Sequence, residues 1–237
     1  MLMPVFSLSA DKFPLYSLDF ESGSTTYLSM ADGDVGAFDT AKFAISAWVK
    51  RESTGSAATI LSQWSGGAQC AFKFGFDNSD AIAVTLSSNG TATNGRIVTN
   101  ATYTSTANWY HILVHVDTAN STAGDRIRLF VDGVEVTSFA TDSNPSAAVF
   151  DSTADFIAGR TAGFGEIFDG LIYQLAFFSG TLPDISSVYS SGAPKDVSGI
   201  PGLFLYLDTE GNSVVSDGVK ATDWTNNNTV VTSSTKP

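Results

Sequence analysis

The stretch DRIRLFVDGVEVTSF, residues 125–139, sets an Asp-Gly dipeptide between two runs of alternating apolar residues. Folding the runs about Asp132-Gly133 as a two-residue loop puts Val131 opposite Val134, Leu129 opposite Val136, and Ile127 near Ser138. One face of the ribbon is then almost wholly apolar, while the other carries Arg126, Arg128, Phe130, Glu135 and Thr137. A type I′ turn needs positive φ at both central residues, which Gly adopts freely and Asp tolerates. The stretch therefore predicts a β-hairpin, with Asp132 as its corner rather than as a ligand.

The same signal recurs outward from it. Strand-like runs are read at 16–20, 25–30, 43–51, 58–64, 70–76, 81–87, 95–101, 109–117, 155–160 and 168–180, separated by Gly, Asn, Asp and Ser. One short helix is expected in TLPDISSVYSSG, residues 181–192, with Pro183 near its start, Ile185, Val188 and Tyr189 on one face, and Gly192 ending it. LFLYLD, 203–208, reads as one more strand, and the polar end as an edge strand or extended arm whose last residues are loose. The expected organisation is an N-terminal arm over 1–15, a β-sandwich over 16–192, and a C-terminal extension over 193–237 that docks on the sandwich or on a partner.

Composition supports an all-β reading and narrows the partners. The 237 residues carry a formal charge of −12, which repels phosphate backbones and anionic membranes. Nucleic acid and membrane insertion are therefore not expected. A single cysteine, Cys70, gives no internal disulfide and no cysteine zinc cluster, and reads as a small buried apolar residue. MLMPVFSLSADKFP lacks the basic n-region of a secretory signal, so the Asn-x-Ser/Thr triplets at Asn89 and Asn120 read as composition.

In order and spacing, YSLDFESGSTTYLSM, FAISAWVK, NWYHILVHVD, IRLFVDGVEV, FIAGR and FDGLIYQLAFFSGTL resemble the laminin-G-like and pentraxin-like branch of the concanavalin A-like lectin/glucanase superfamily. The resemblance implies an antiparallel jelly-roll sandwich with one short helix, and places Trp48 and Trp109 in packing positions. It says little about function, because one fold hosts many. Glucanase relatives carry a Glu-x-Asp-x-x-Glu strand, and retaining hydrolysis needs two carboxyl groups about 5 Å apart. That motif is missing; the nearest acid pairs are Asp132 with Glu135 and Glu166 with Asp169. Pentraxin-like relatives bind calcium partly through acidic residues just after the FIAG strand, where this chain has Arg160, and many relatives have an Asp-Glu pair where it has Tyr173-Gln174, so the resemblance does not imply calcium at that position.

Candidate site residues follow from what remains. The loop MADGDVGAFD, with Asp32, Asp34 and Asp39 within a few residues, reads first as a solvated turn between strands and is also the best oxygen-ligand candidate in the chain for a cation such as calcium. His111 and His115, four apart, share one face of a strand and read as a sheet surface or groove position without a third zinc ligand. Trp64, beside a Gly-rich loop, is a rim aromatic able to stack on a sugar or enter an interface. GRTAGFGEIFDG reads as a rim loop that adds Arg160 and Phe164 as ligand contacts.

The expectation is a non-enzymatic protein that needs no cofactor. The C-terminal segments resemble those that follow such domains in bacteriophage virion proteins, which implies a structural or decoration protein on a capsid or tail surface. Its partners would be other virion proteins and sister copies, and glycan binding would be an added role. A carbohydrate-binding recognition module is the alternative, and a glycan-cleaving enzyme with an unrecognised site the second. Acidic, Ser/Thr-rich surfaces suit a protein held soluble at high copy number, assembled in the host cytoplasm without export.

Overall fold

The structure is a computed structural model that describes residues 16–24, 26–31, 38–66, 69–87, 93–148, 154–161, 165–207 and 224–237. The arm over 1–15 lies outside the described residues. In chain order the strands are β1 (Ser17–Phe20), β2 (Tyr27–Met30), β3 (Lys42–Arg51), β4 (Ala58–Gly66), β5 (Gln69–Phe76) and β6 (Ala81–Ser87). Then follow β7 (Thr93–Thr102), β8 (Tyr110–Asp117), β9 (Ile127–Val131), β10 (Val134–Val136), β11 (Phe139–Ser143), β12 (Phe156–Ala158) and β13 (Gly170–Ser179). A four-residue helix α1 (Ile185–Val188) precedes β14 (Tyr189–Ser190), β15 (Ala193–Pro194), β16 (Leu203–Leu207), β17 (Thr225–Asn227) and β18 (Val231–Ser233).

Among the described residues these strands, apart from the separate pair β14-β15, form two antiparallel sheets that make a sandwich. The first runs β10-β9-β8-β3-β13-β1-β18, with β16 also paired to β13; the second runs β11-β7-β6-β5-β4-β12-β2-β17. Alternation sends Ile45, Ala47 and Val49 of β3, Ile112, Val114 and Val116 of β8, and Phe72, Phe74 and Phe76 of β5 into one shared core. Phe43 joins the sheets, stacked on Phe177 at 5.3 Å and edge-on to Phe72 at 5.9 Å. Each such buried side chain contributes about 1.5–3 kcal/mol of transfer free energy.

The hairpin forms in the expected register, Val131 against Val134 and Leu129 against Val136. Asp132 (φ 49°) and Gly133 (φ 83°) both take positive φ, as a type I′ corner requires. Two details differ from the sequence reading. The ribbon ends at Val136, and Phe139 starts β11 on the second sheet opposite Thr99, so Ile127 and Ser138 are not partners. Phe130, assigned to the solvent face, is buried, because Val188 and Val197 from the C-terminal segment cover the outer face of the first sheet over Ala44, Leu113 and Phe178. With both faces covered, β13 is buried from Gly170 to Phe178 and is apolar along most of its length.

The helix expected over 181–192 is only one turn long. Tyr189 returns to extended backbone at φ −136°, and Gly192 serves with Ser191 as the positive-φ corner between β14 and β15 rather than as a helix end. LFLYL, residues 203–207, pairs with β13 as β16. The last strands close both sheets, β17 on β2 and β18 on β1, and the Ser17 hydroxyl donates to the Thr235 carbonyl at 2.8 Å, so the chain end is tied down rather than loose.

Candidate functional site

The register of the second sheet builds a groove on its outer face. Lys73 lies opposite Thr85 and Thr85 opposite Arg96, forming a polar row across β5, β6 and β7. In the adjoining row Thr59 of β4 sits opposite Gly75, and Gly75 opposite Ala83, so the floor there is nearly free of side chains. The resulting groove holds about 280 Å³, with Thr59, Trp64, Lys73, Asn78, Arg96 and Glu166 among its walls.

Glu166 is fixed from three sides. Lys73 Nζ donates to both of its oxygens at 2.7 Å, and the hydroxyls of Thr59 and Thr161 reach Oε2 at 2.9 and 3.0 Å. Burial would raise this carboxyl, but the Lys73 ammonium and the two hydroxyls outweigh it and hold it below the usual range. The same ammonium lies 5.4 Å from the centroid of Trp64. Arg96 is exposed and makes no ion pair among the described residues. Among the described residues the groove thus offers one cation without an ion pair, amide and hydroxyl groups, and one indole.

Of the residues singled out from the sequence, Trp64 enters this groove, but as a wall rather than as an exposed rim plate. It is 8 % exposed, packed where the polar row meets β4. Arg160 does not line the groove; it is half-buried, with its guanidinium 5.0 Å over the Tyr27 ring, and its carbonyl accepts from Ser62 Oγ at 2.9 Å. Phe164, Asp32, Asp34 and the side chain of Cys70 lie outside the described residues. Asp39 acts as a turn residue, Oδ1 accepting the amides of Ala41 and Lys42 at 2.9 and 3.0 Å at the start of β3.

The histidines are buried, not at a surface. The covering C-terminal segment removes both from water: His111 Nε2 pairs with Ser46 Oγ at 2.9 Å and His115 Nε2 with the Pro183 carbonyl at 3.0 Å. Burial pushes His111 down to about 3; burial, together with Arg128, takes His115 to about 4 against smaller opposing contributions from the Pro183 carbonyl, Asp184 and Glu135. Trp48 is a packing residue at 2 % exposure, whereas Trp109 is only half-buried, edge-on to Tyr173 at 6.4 Å.

The acid pairs are otherwise engaged. Glu135 is clamped by both Arg128 nitrogens at 2.6 and 2.7 Å, Asp132 Oδ1 accepts the His111 amide at 2.8 Å, and Asp169 Oδ1 accepts the Ser22 amide at 2.9 Å. Tyr173 and Gln174 are each 3 % exposed, and Gln174 Nε2 donates to the Lys195 carbonyl at 2.7 Å. Among the described residues, the carboxylates that could hold a cation are Asp19, Glu21 and Glu52, with oxygens within 4.8 Å of one another. Sequence reasoning missed this cluster because only the pairing of β1 and β3 to β13 gathers it. It also missed Lys73 and Arg96. Alternation in CAFKFGF points Lys73 away from the core, but the row it forms depends on the register of three strands.

Comparison with known proteins gives a family. The family described as Concanavalin A-like lectin/glucanases superfamily, Laminin_G_3, matches residues 22–184, which is 163 of 237 residues, and the chain belongs to it. Among solved structures, the native heptameric SAP-like pentraxin from Limulus polyphemus superposes with a TM-score of 0.61 at 11 % identity, covering 94 % of this chain and 96 % of that one. The CBM40 of Ruminococcus gnavus IT-sialidase bound to α2,3 sialyllactose superposes with a TM-score of 0.53 at 13 % identity, covering 73 % and 96 %. At such identities the likeness establishes a shared fold. Comparison with curated proteins gives no match.

Proposed function

We propose that this member of the superfamily is a non-catalytic recognition module that binds glycan in the groove on the outer face of the second sheet. The observation that carries the reading is the groove itself, where Arg96, which makes no ion pair among the described residues, lies with the side chains of Thr85 and Asn78 beside Gly75 and Ala83. Sugar hydroxyls require donors and acceptors set around a shallow apolar floor, and this face supplies them. A CBM40 of the same fold, solved with sialyllactose, adds support.

The groove is poorly equipped for hydrolysis. Glu166 is held ionised by Lys73 and so is a weak proton donor, and Asp77, the other carboxylate there, accepts the amides of Ser79 and Ala81 through Oδ1. No cofactor is needed in this reading.

The setting we favour is the surface of a bacteriophage particle, with other virion proteins as partners. Its support is the resemblance of the segments after residue 192 to those of virion proteins. A glycan array, followed by calorimetric titration of its hits, tests the module. Binding lost on Arg96→Ala and weakened by Thr85→Val supports it; a silent array, or hits that survive both changes, overturns it. Saturable binding to purified phage particles tests the setting, and its absence would remove that part alone.

A further inference from the structure

A second recess opens beside the Asp132-Gly133 corner, on the other sheet of the sandwich. Trp48, Asn108, Trp109, Asp132, Tyr189 and Gly192 line it, in a volume of about 470 Å³. Trp48 stacks on Tyr189 with centroids 5.6 Å apart and planes at 21°, and half-buried Trp109 adds a further ring. The hairpin corner is pressed on this stack: a Cβ at Gly133 would lie 2.6 Å from the Tyr189 ring. Asp132 Oδ1 is taken by the His111 amide, while Oδ2 has no hydrogen bond or ion pair among the described residues. None of the residues lining the recess is basic.

We propose that this recess binds a small organic cation of the N-alkylated ammonium class, with Asp132 as counter-charge and the Trp109 and Tyr189 rings as walls. The ring quadrupole attracts a cation at its face, and N-alkyl groups combine positive charge with an apolar surface that water holds weakly. An alkali cation keeps its water and gains little from the rings. A neutral sugar would leave the carboxylate uncompensated, and burial already pushes that carboxyl above its usual range against the smaller effect of the His111 amide. The chain's charge of −12 favours a cation over an anion. This site does not depend on the glycan reading, since the two pockets share no lining residue.

The test is titration of the intact protein with tetramethylammonium chloride, followed by the indole N–H signals in NMR, with potassium chloride and methyl glucoside as controls. Two variants accompany it, Asp132→Asn and Trp109→Ala, with thermal melts to verify folding. Asn tolerates the left-handed corner and keeps an acceptor for the His111 amide, so it removes charge alone. Saturable shifts with tetramethylammonium, weakened about fivefold or more by either change, support the site. No saturable shift, the same shift with potassium chloride, undiminished affinity in Asp132→Asn, or tighter binding of methyl glucoside would overturn it.

Discussion

Arg51 and Asp80 meet at 2.7 Å in the interior, with the Arg51 side chain 1 % exposed. Their pairing ties the end of β3 to the turn between β5 and β6, whose residues Asp77 and Asn78, with Phe76 at the end of β5, also end the groove. The guanidinium donates again to the Tyr103 carbonyl at 2.8 Å and lies 4.2 Å over the Phe76 ring. Burial would raise the Asp80 carboxyl, but the Gly55 amide and the guanidinium outweigh it and hold it low.

Arg51→Met therefore leaves a carboxylate with its charge partner removed. Breaking such a buried pair from one side costs about 3–5 kcal/mol, far more than an exposed pair such as Arg128 with Glu135. Urea unfolding is expected to show a loss of that size for Arg51→Met and less than about 1 kcal/mol for Glu135→Gln. Equal losses would mean that the interior pair contributes no more than a surface one.

The corner that opened the sequence reading gives a second contrast. Gly133→Ala places a Cβ against the Tyr189 ring at a φ of 83°, so both contact and backbone oppose it. A loss of about 1–3 kcal/mol is expected on thermal or urea unfolding. Asp132→Asn at the preceding position is expected to melt within about 0.5 kcal/mol of the parent, because Asn suits the same conformation. A neutral Gly133→Ala would show that the corner relaxes freely.

These residues also mark what a sequence can and cannot show. Asp132-Gly133 announces its conformation locally, because positive φ at two adjacent residues has few chemical solutions. The alternation of Phe72, Phe74 and Phe76 likewise announces a core face. Phe130 and the two histidines could not be placed in the same way. Their burial depends on a C-terminal segment, from Pro183 onward, that folds over the first sheet, and nothing in WYHILVHVD anticipates that cover. The groove was half legible: Trp64 was singled out, while its neighbours Lys73 and Arg96 come together only through strand register. Asp19 and Glu52 are thirty-three positions apart, and it is β13 that brings them together.

The buried histidines set the acid side of the stability profile. In the unfolded chain each binds a proton below about 6.5, while in the folded chain both resist protonation until about 3 and about 4. Below pH 6.5 the unfolded state then binds more protons, so the stability present at neutral pH is lost as pH falls. Each histidine contributes up to about 1.4 kcal/mol per pH unit. In His115→Gln, which keeps a donor toward the Pro183 carbonyl, urea midpoints between pH 7 and 5 are expected to fall less steeply than in the parent. Parallel profiles would place the proton uptake elsewhere.

Asp19 works in the opposite direction. Burial first, then the charges of Glu52, Glu21 and Asp169, push its carboxyl up to about 6, and its buried Oδ1 has no hydrogen-bond partner among the described residues. Between pH 4 and 6 the folded state holds a proton that the unfolded state has released, so this group stabilises in acid, and that stability is lost as pH rises through 6. At pH 7 Asp19→Asn is therefore expected to raise Tm, since it removes a charge that the fold tolerates badly. At pH 4 parent and variant should converge, because both side chains are then neutral. Added sodium chloride should narrow the gap at pH 7 by screening the three neighbouring carboxylates. A variant that melts lower than the parent at pH 7 would show that the Asp19 charge is compensated within the fold, and that the carboxylates at the ends of β1 and β3 do not repel one another.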